Sequence, residues 1–561
     1  MLRRFLFAAG MAVIVGGCST GKVPVSAAAI DPARLEAMVK VLASDAFEGR
    51  APGTPGEDKT VAYLIEQFQA IGIQPGGRDG QWTQAVPMMR TFLESPQLAF
   101  TYPQGQLQLV QGENIEVSTV RAAEHIHAEE VPLVFVGFGV TAPERDWDDY
   151  GDIDLTGKIA VYLVNDPDFA AEPGEPVAGR FGNRRMTYYG RWAYKYEEAA
   201  RRGALGALVI HETEAAGYDW SVAAAGAGER VALARNATGP APIALQGWLH
   251  EGAATELLAM AGHDLATLRS AARQPDFSAF ELDGVQFRVH SDVTVTRFDS
   301  RNVLGLLPGS ARPDEVLMVS AHWDAYGEGP PDAQGRTVRA GANDDALGTA
   351  GVLEIARVLQ AGPPLERSVV FALWTAEESG LVGSQAYAVD PIYPLETTVA
   401  NFTLDILQTA GAARDVILVG EGQSSLEDDL ARAAAAQGRY VTPENLPENG
   451  LFYRADHFSL ARAGVPVLLL MGIAGGADLV EGGRAAGNQW IADYVGNCYH
   501  KPCDAWSPDW DLSGAVQDIE LFRRMVEDLG NARRWPEWRP ASEFKAVRDS
   551  SAAARGRVNR W

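Results

Sequence analysis

The chain has 561 residues, three of them Cys, with 47% apolar residues, 22% charged residues and a formal net charge of −25. That apolar share excludes disorder over most of the chain, and the length allows two to four domains with a large core that needs no disulfide staples. The negative balance excludes nucleic acid as a partner, because phosphate binding needs a basic face, and it excludes attraction to an anionic membrane surface.

The amino terminus reads as an export signal. Arg3 and Arg4 precede an apolar run from Phe5 to Val15 that is too short for a permanent span. Val15-Gly16-Gly17-Cys18 resembles a bacterial lipobox. The expectation is a signal peptide over 1–17, a tether over 18–30, a lipid on Cys18, and an exported protein held at a bacterial membrane facing the periplasm. The plainer alternative is a cleaved signal with a chance Cys. No later stretch has 18 consecutive apolar residues, so no second span is expected. Cys498 and Cys503 remain, and an oxidising compartment would permit a disulfide. Spacing alone does not decide it.

Asp31-Pro32 opens a helix with Leu35, Met38, Val39 and Leu42 on one face. A Gly/Pro-rich turn spans 47–56, and a second helix carries Val61, Leu64, Ile65 and Phe68. Residues 82–120 read as short strands. A different unit occupies 126–290. It has an apolar run from Val131 to Val140, a strand from Ile159 to Val164, a helix through Lys195–Arg202, and a strand from Leu208 to His211. From Arg301, strand-like runs (303–307, 316–320, 369–374, 416–419, 465–471) alternate with helical segments (348–360, 426–437). This alternation predicts an α/β sandwich with a mostly parallel sheet. Ligands gather beyond the carboxyl ends of such strands. Residues 536–561 read as a trailing tail.

The chemistry-bearing residues follow those strands. They are His322-Trp323-Asp324, Gly341-Ala342-Asn343-Asp344-Asp345, Glu377-Glu378, Asp405, and Tyr499-His500-Lys501-Pro502. Each piece has a bland reading, such as a helix cap or a solvated acid pair. Together, acids and His converging on one sheet edge would repel and lose solvation unless cations compensate them. Carboxylate and imidazole donors suit zinc. One His and one carboxylate per ion, plus one shared carboxylate, requires five residues. His322, Asp344, Glu378, Asp405 and His500 supply five.

In this order the motifs resemble the co-catalytic di-zinc peptidase family that includes bacterial secreted leucyl aminopeptidases and glutamate carboxypeptidase. Phe47-Glu48-Gly49-Arg50 and Arg454-Ala455-Asp456-His457 also look like that family. The resemblance implies a three-layer α/β catalytic domain over 31–125 and 291–535. An inserted β-rich protease-associated domain would lie between them, over 126–290, as a lid or pocket wall. It implies two zinc ions: His322 and Asp405 on one, Glu378 and His500 on the other, Asp344 bridging. Asp324 would orient His322, Glu377 would be the general base, Tyr499 would serve the oxyanion, and the peptide after Asp344 would be cis. The implied reaction is exopeptidase attack on a peptide carbonyl by a zinc-bound hydroxide, in an aminopeptidase. The alternatives are a carboxypeptidase or dipeptidase, which needs a cationic clamp with Arg339 and Arg454 as candidates, and an inactive receptor-like binding protein. Asp456 and His457 are pocket residues or a structural pair. His125, His127, His211, His250, His263 and His290 read as surface or packing residues.

Overall fold

The computed structural model describes residues 29–226, 228–234 and 242–558. The expected signal peptide, Cys18 and all of the tether but its last two residues lie outside the described residues. No helix among the described residues is long and apolar enough to cross a membrane.

A 14-stranded sheet runs through the molecule. At one end the order is Val467–Leu470, Thr398–Leu404, Arg312–His322, Arg367–Trp374, then the long strand Phe280–Leu307. The first four are parallel and the long strand joins antiparallel. Buried parallel strands read as continuous apolar runs because both faces are covered. Alternation then divides each run between two cores. Leu317, Val319 and Ala321 face one core with Phe371 and Leu373; Val316 and Met318 face the other with Val370 and Trp374. The first core packs against helices Pro32–Leu42, Pro55–Ile71, Leu347–Ala361 and Ser513–Asn531. The second packs against Val382–Val389 and His457–Arg462.

The long strand carries the sheet onward. It pairs with Thr83–Tyr102 and His125–Phe135, beyond which lie Ile159–Leu163, Gly206–His211, Leu245–His250 and Ile115–Ser118. Here too alternation makes two cores, with Val161 and Leu208 in one and Tyr162 and Val209 in the other. Position 290 falls inside a continuous strand, and Leu93, Phe100, Ile115 and Val117 pack in the first of these cores. The hydrogen-bond ladder therefore crosses both expected edges of the 126–290 unit.

Two expectations are corrected. Strand Asp415–Leu418 lies outside the central sheet and pairs with Tyr440–Pro443 alone, since an apolar run does not encode its partner. The segment from 536 does not trail. Trp538 and Phe544 are buried in the second core, the Trp538 indole donates to Gly464 O (2.9 Å), and Arg548 donates to Thr398 O (3.0 Å).

Candidate metal centre

Strand Arg312–His322 ends level with Trp374, and the loops after both strands and after Leu404 leave the same edge of the sheet. Side chains held at such strand ends project into one space. The segment 341–345 closes over it. Gly341 sits at φ 53°, and a Cβ there would lie 2.3 Å from Asp344 O and 2.6 Å from Ala325 Cβ. The Asp344–Asp345 peptide is cis. The Thr349 hydroxyl donates to His322 O (2.7 Å), tying the following helix to the strand end.

The five residues expected as ligands come together. His322 Nε2 is 3.1 Å from Asp344 Oδ1 and 3.9 Å from Asp405 Oδ1. His500 Nε2 is 3.3 Å from Asp344 Oδ2 and 3.4 Å from Glu378 Oε2. The two oxygens of Asp344 thus face two different imidazoles, each with a second carboxylate beside it. Donor atoms of His322, Asp344 and Asp405 lie within 4.8 Å of one another, as do those of Asp344, Glu378 and His500, and those of His322, Glu377 and Glu378.

Asp324 is fully buried. Its carboxylate accepts from the backbone N–H of Glu377 (3.1 Å) and Glu378 (3.3 Å), and lies 3.6 Å from His322 Nδ1. The nearer partner of that nitrogen is the backbone carbonyl of Asp324 (3.2 Å). The Asp324 carboxylate therefore positions the Glu377-Glu378 backbone more directly than it holds the imidazole. The Tyr499 ring lies against His500, centroids 3.7 Å apart.

Three supporting residues have no such role in the sequence reading. Tyr326 Oη is 3.0 Å from His500 Nδ1. Asp504 accepts from the N–H of Asn343 (3.0 Å) and Asp344 (3.1 Å) and from the Tyr494 hydroxyl (3.1 Å). Arg50, fully buried, donates to Trp323 O, Leu42 O, Ala340 O and Gly341 O. The position of Arg50 in the motif Phe47-Glu48-Gly49-Arg50 and that of Asp504 in the loop after His500 are the available signal; Tyr326 lies in neither. Gly49 explains the motif's glycine: it sits at φ 65°, and a Cβ would lie 2.6 Å from Arg339 O. Cys498 and Cys503 are joined by a disulfide in the loop that carries Tyr499 and His500.

Electrostatics fit a cation. Burial, with Asp344 beside it, pushes the Asp405 carboxyl up to about 7. Burial also holds Glu377 and Glu378 well above the ordinary carboxylate range. Asp344 is held low: burial opposes this, and hydrogen bonds from His322 and His500 outweigh it. Divalent charge at the cluster would favour the carboxylate forms throughout. Oxygen and imidazole donors in this number suit zinc.

Of the weaker candidates, Asp456 is buried near the cluster, and burial lifts its carboxyl to about 7. His457 packs edge-on against Phe452 and is pushed by burial down to about 3, a packing residue. Arg339 lies on a hairpin (327–328 with 338–339) and lines the opening with Tyr326, His500 and Lys501. Arg454 is partly buried, within electrostatic reach of Tyr499, Glu377 and Asp405, and has no ion-pair partner among the described residues.

Residues 302–522 match the model of Peptidase family M28. The chain is 30% identical over 175 residues to Aminopeptidase YwaD of Bacillus subtilis (strain 168), covering 30% of this chain and 35% of the relative. It is 30% identical over 178 residues to the Probable lipoprotein aminopeptidase LpqL of Mycobacterium tuberculosis, covering 30% and 32%. It is also 30% identical over 130 residues to a Glutamate carboxypeptidase 2 homolog of Caenorhabditis elegans, covering 22% and 15%. The chain thus spans well under half the length of these curated relatives. Among solved structures, the aminopeptidase from Aneurinibacillus sp. strain AM-1 aligns over 92% of this chain and 96% of its own, at 20% identity and a TM-score of 0.47. Residues 302–522 are thus the stretch of the chain that is similar to Peptidase family M28.

Proposed function

We propose that the protein is a di-zinc exopeptidase that removes N-terminal residues from peptides. The observation that carries this is the divided Asp344 carboxylate, each oxygen facing a different imidazole–carboxylate pair. On this reading His322 and Asp405 hold one ion, Glu378 and His500 the other, and Asp344 both. Zinc bound there supplies Lewis-acid polarisation of the scissile carbonyl and acidifies water toward neutral pH.

The remaining work belongs to the chain. Glu377 lies beside His322 and outside the five-ligand set, with a carboxyl that burial raises. It takes a proton from the attacking water and gives it to the leaving amine. Asp324 fixes the backbone that presents Glu377. The Tyr499 hydroxyl donates to the oxygen that gains charge at the carbonyl. The acidic cluster attracts a free ammonium group, which favours the amino end of a peptide. Glu377→Ala tests this: the variant keeps two zinc ions per chain by elemental analysis and loses turnover roughly 10²–10⁴-fold. Turnover at the wild-type rate would overturn it.

Arg454 favours a second reading. An unpaired guanidinium close to Glu377 and Asp405 could receive a substrate carboxylate, as a carboxypeptidase or dipeptidase requires. Amino-blocked and carboxy-blocked dipeptides separate the two, since an aminopeptidase cleaves only the second.

The compartment reading is an exported protein anchored through lipid on Cys18 and facing the periplasm. Cys18→Ala releases it from the membrane fraction if this holds. Residues 126–290 are read as a protease-associated unit walling the pocket. In support, it packs against the peptidase through Tyr188 on Phe458 (centroids 5.1 Å) and Arg462 on Glu197 (2.7 Å).

A further inference from the structure

Three of the nine His in the chain lie on one exposed face far along the sheet from the cluster described above. Strands His125–Phe135 and Phe280–Leu307 are antiparallel neighbours. In their register His127 faces His290 and His125 faces Asp292. Between these pairs, Ile126 faces Ser291. Burial follows the pleat: Ile126 and Ser291 are buried, while His125, His127, His290 and Asp292 are exposed. Alternation therefore puts four potential ligands on one face, at the corners of a square two residues long and two strands wide.

The first pair is already in contact. His127 Nδ1 and His290 Nδ1 are 2.7 Å apart, with the rings nearly perpendicular at 88°. At that distance the Nδ1 of one ring hydrogen-bonds to the Nδ1 of the other. A divalent metal bound at about 2.0–2.1 Å from each nitrogen would take the place of the shared proton once the pair opens and both rings turn toward it. His125 and Asp292 stand about 7 Å along the strands on the same face; their ligand atoms are not gathered on the pair as the side chains stand, and a change of χ1 would be needed to bring them in. Imidazole with one carboxylate is a donor set for zinc, copper or nickel rather than for calcium or magnesium. The neighbouring Glu94 on the Thr83–Tyr102 strand accepts from the Thr294 hydroxyl through Oε1 (2.7 Å).

We propose that His127 and His290, completed by His125 and Asp292, form a surface site for a transition-metal divalent cation, separate from the peptidase cluster. A metal there ties the first strand of the 126–290 unit to the long strand that continues into the peptidase sheet. It would stabilise that ladder by mass action, as any ligand of the native state does.

The test uses the holoprotein, dialysed free of loosely held metal and titrated with zinc chloride by calorimetry. Wild type takes up one zinc beyond its tightly held complement. His127→Ala/His290→Ala takes up none beyond it, and Asp292→Asn binds the extra ion more weakly. Equal uptake by wild type and the double variant overturns the proposal. Should the double variant misfold, His127→Gln and His290→Gln, each alone, carry the same comparison. A second readout is the spectrum of copper added to the holoprotein: imidazole nitrogen splitting in wild type supports the site, and oxygen-only coordination overturns it.

Discussion

Arg50 offers the sharpest test of how the cluster is held. Its guanidinium donates to four backbone carbonyls, at 2.8 Å (Trp323), 2.8 Å (Leu42), 2.6 Å (Ala340) and 2.8 Å (Gly341). Its charge also lies near Asp324, Asp504, Asp345 and Asp344. Burial lowers its pKa to about 10, so it stays a cation at neutral pH. Gly341 O also accepts from the Ala346 N–H (3.1 Å), so Arg50→Met would leave three buried acceptors, Trp323 O, Leu42 O and Ala340 O, with no donor. At about 1 kcal/mol each, the low end for an unsatisfied buried group, the loss is about 3 kcal/mol. Arg50→Lys keeps the charge, but a single ammonium cannot fork to all of these carbonyls, so it should lose about half as much, about 1.5 kcal/mol. The assay is urea unfolding followed by Trp fluorescence, with chelator present so that metal binding adds no stability of its own. If Arg50→Met unfolds within 1 kcal/mol of wild type, an estimate from the energy scale of one hydrogen bond, the clasp is decoration and the reasoning fails.

Other predictions follow from the same contacts. Asp504→Ala removes the acceptor of the Asn343 and Asp344 N–H groups, so zinc affinity should fall roughly 10–100-fold while the fold survives. Competition with a fluorescent chelator measures it, and unchanged affinity would count against a positioning role. Chelation of the wild type should abolish hydrolysis and lower the unfolding temperature, because buried carboxylates lose their compensating charge. Calorimetry with and without chelator shows whether the transition moves. Glu116 provides a pH test. Burial raises its carboxyl from 4.5 to about 7, outweighing the hydrogen bond from Gly228. The folded pKa lies above the unfolded one, so this group's contribution is fully present below about pH 4.5 and is lost as pH rises through 7. Glu116→Gln should therefore gain on wild type between pH 5 and 8, by up to about 3 kcal/mol. Equal pH slopes for the two proteins would refute it.

Much of this molecule could be read along the chain. Runs such as 369–374 and 316–320 are apolar because parallel strands are covered on both faces, and the helix at 347–361 follows with its own period. The His, Asp and Glu stand right after such runs, so their convergence at one edge follows from sheet architecture. What the linear text lacks is partnership. Tyr326 meets His500 across 174 residues, and Arg50 meets Trp323 across 273, contacts that no local period encodes. Asp324, 3.6 Å from His322 Nδ1, also anchors the backbone N–H groups of Glu377 and Glu378, more than fifty residues away, a second task that its spacing from His322 does not announce.

The remaining surprises are matters of register. Nothing in the order of residues says that Phe280–Leu307 runs unbroken past position 290, that Asp415–Leu418 leaves the central sheet, or that Trp538 folds back into a core. His127 and His290 read as isolated surface residues until two strands align them at 2.7 Å. Composition and periodicity determine which segments become strands and helices, because burial acts on each residue locally. Which strand lies beside which, and at what offset, is decided only when the whole sheet closes its hydrogen bonds at once.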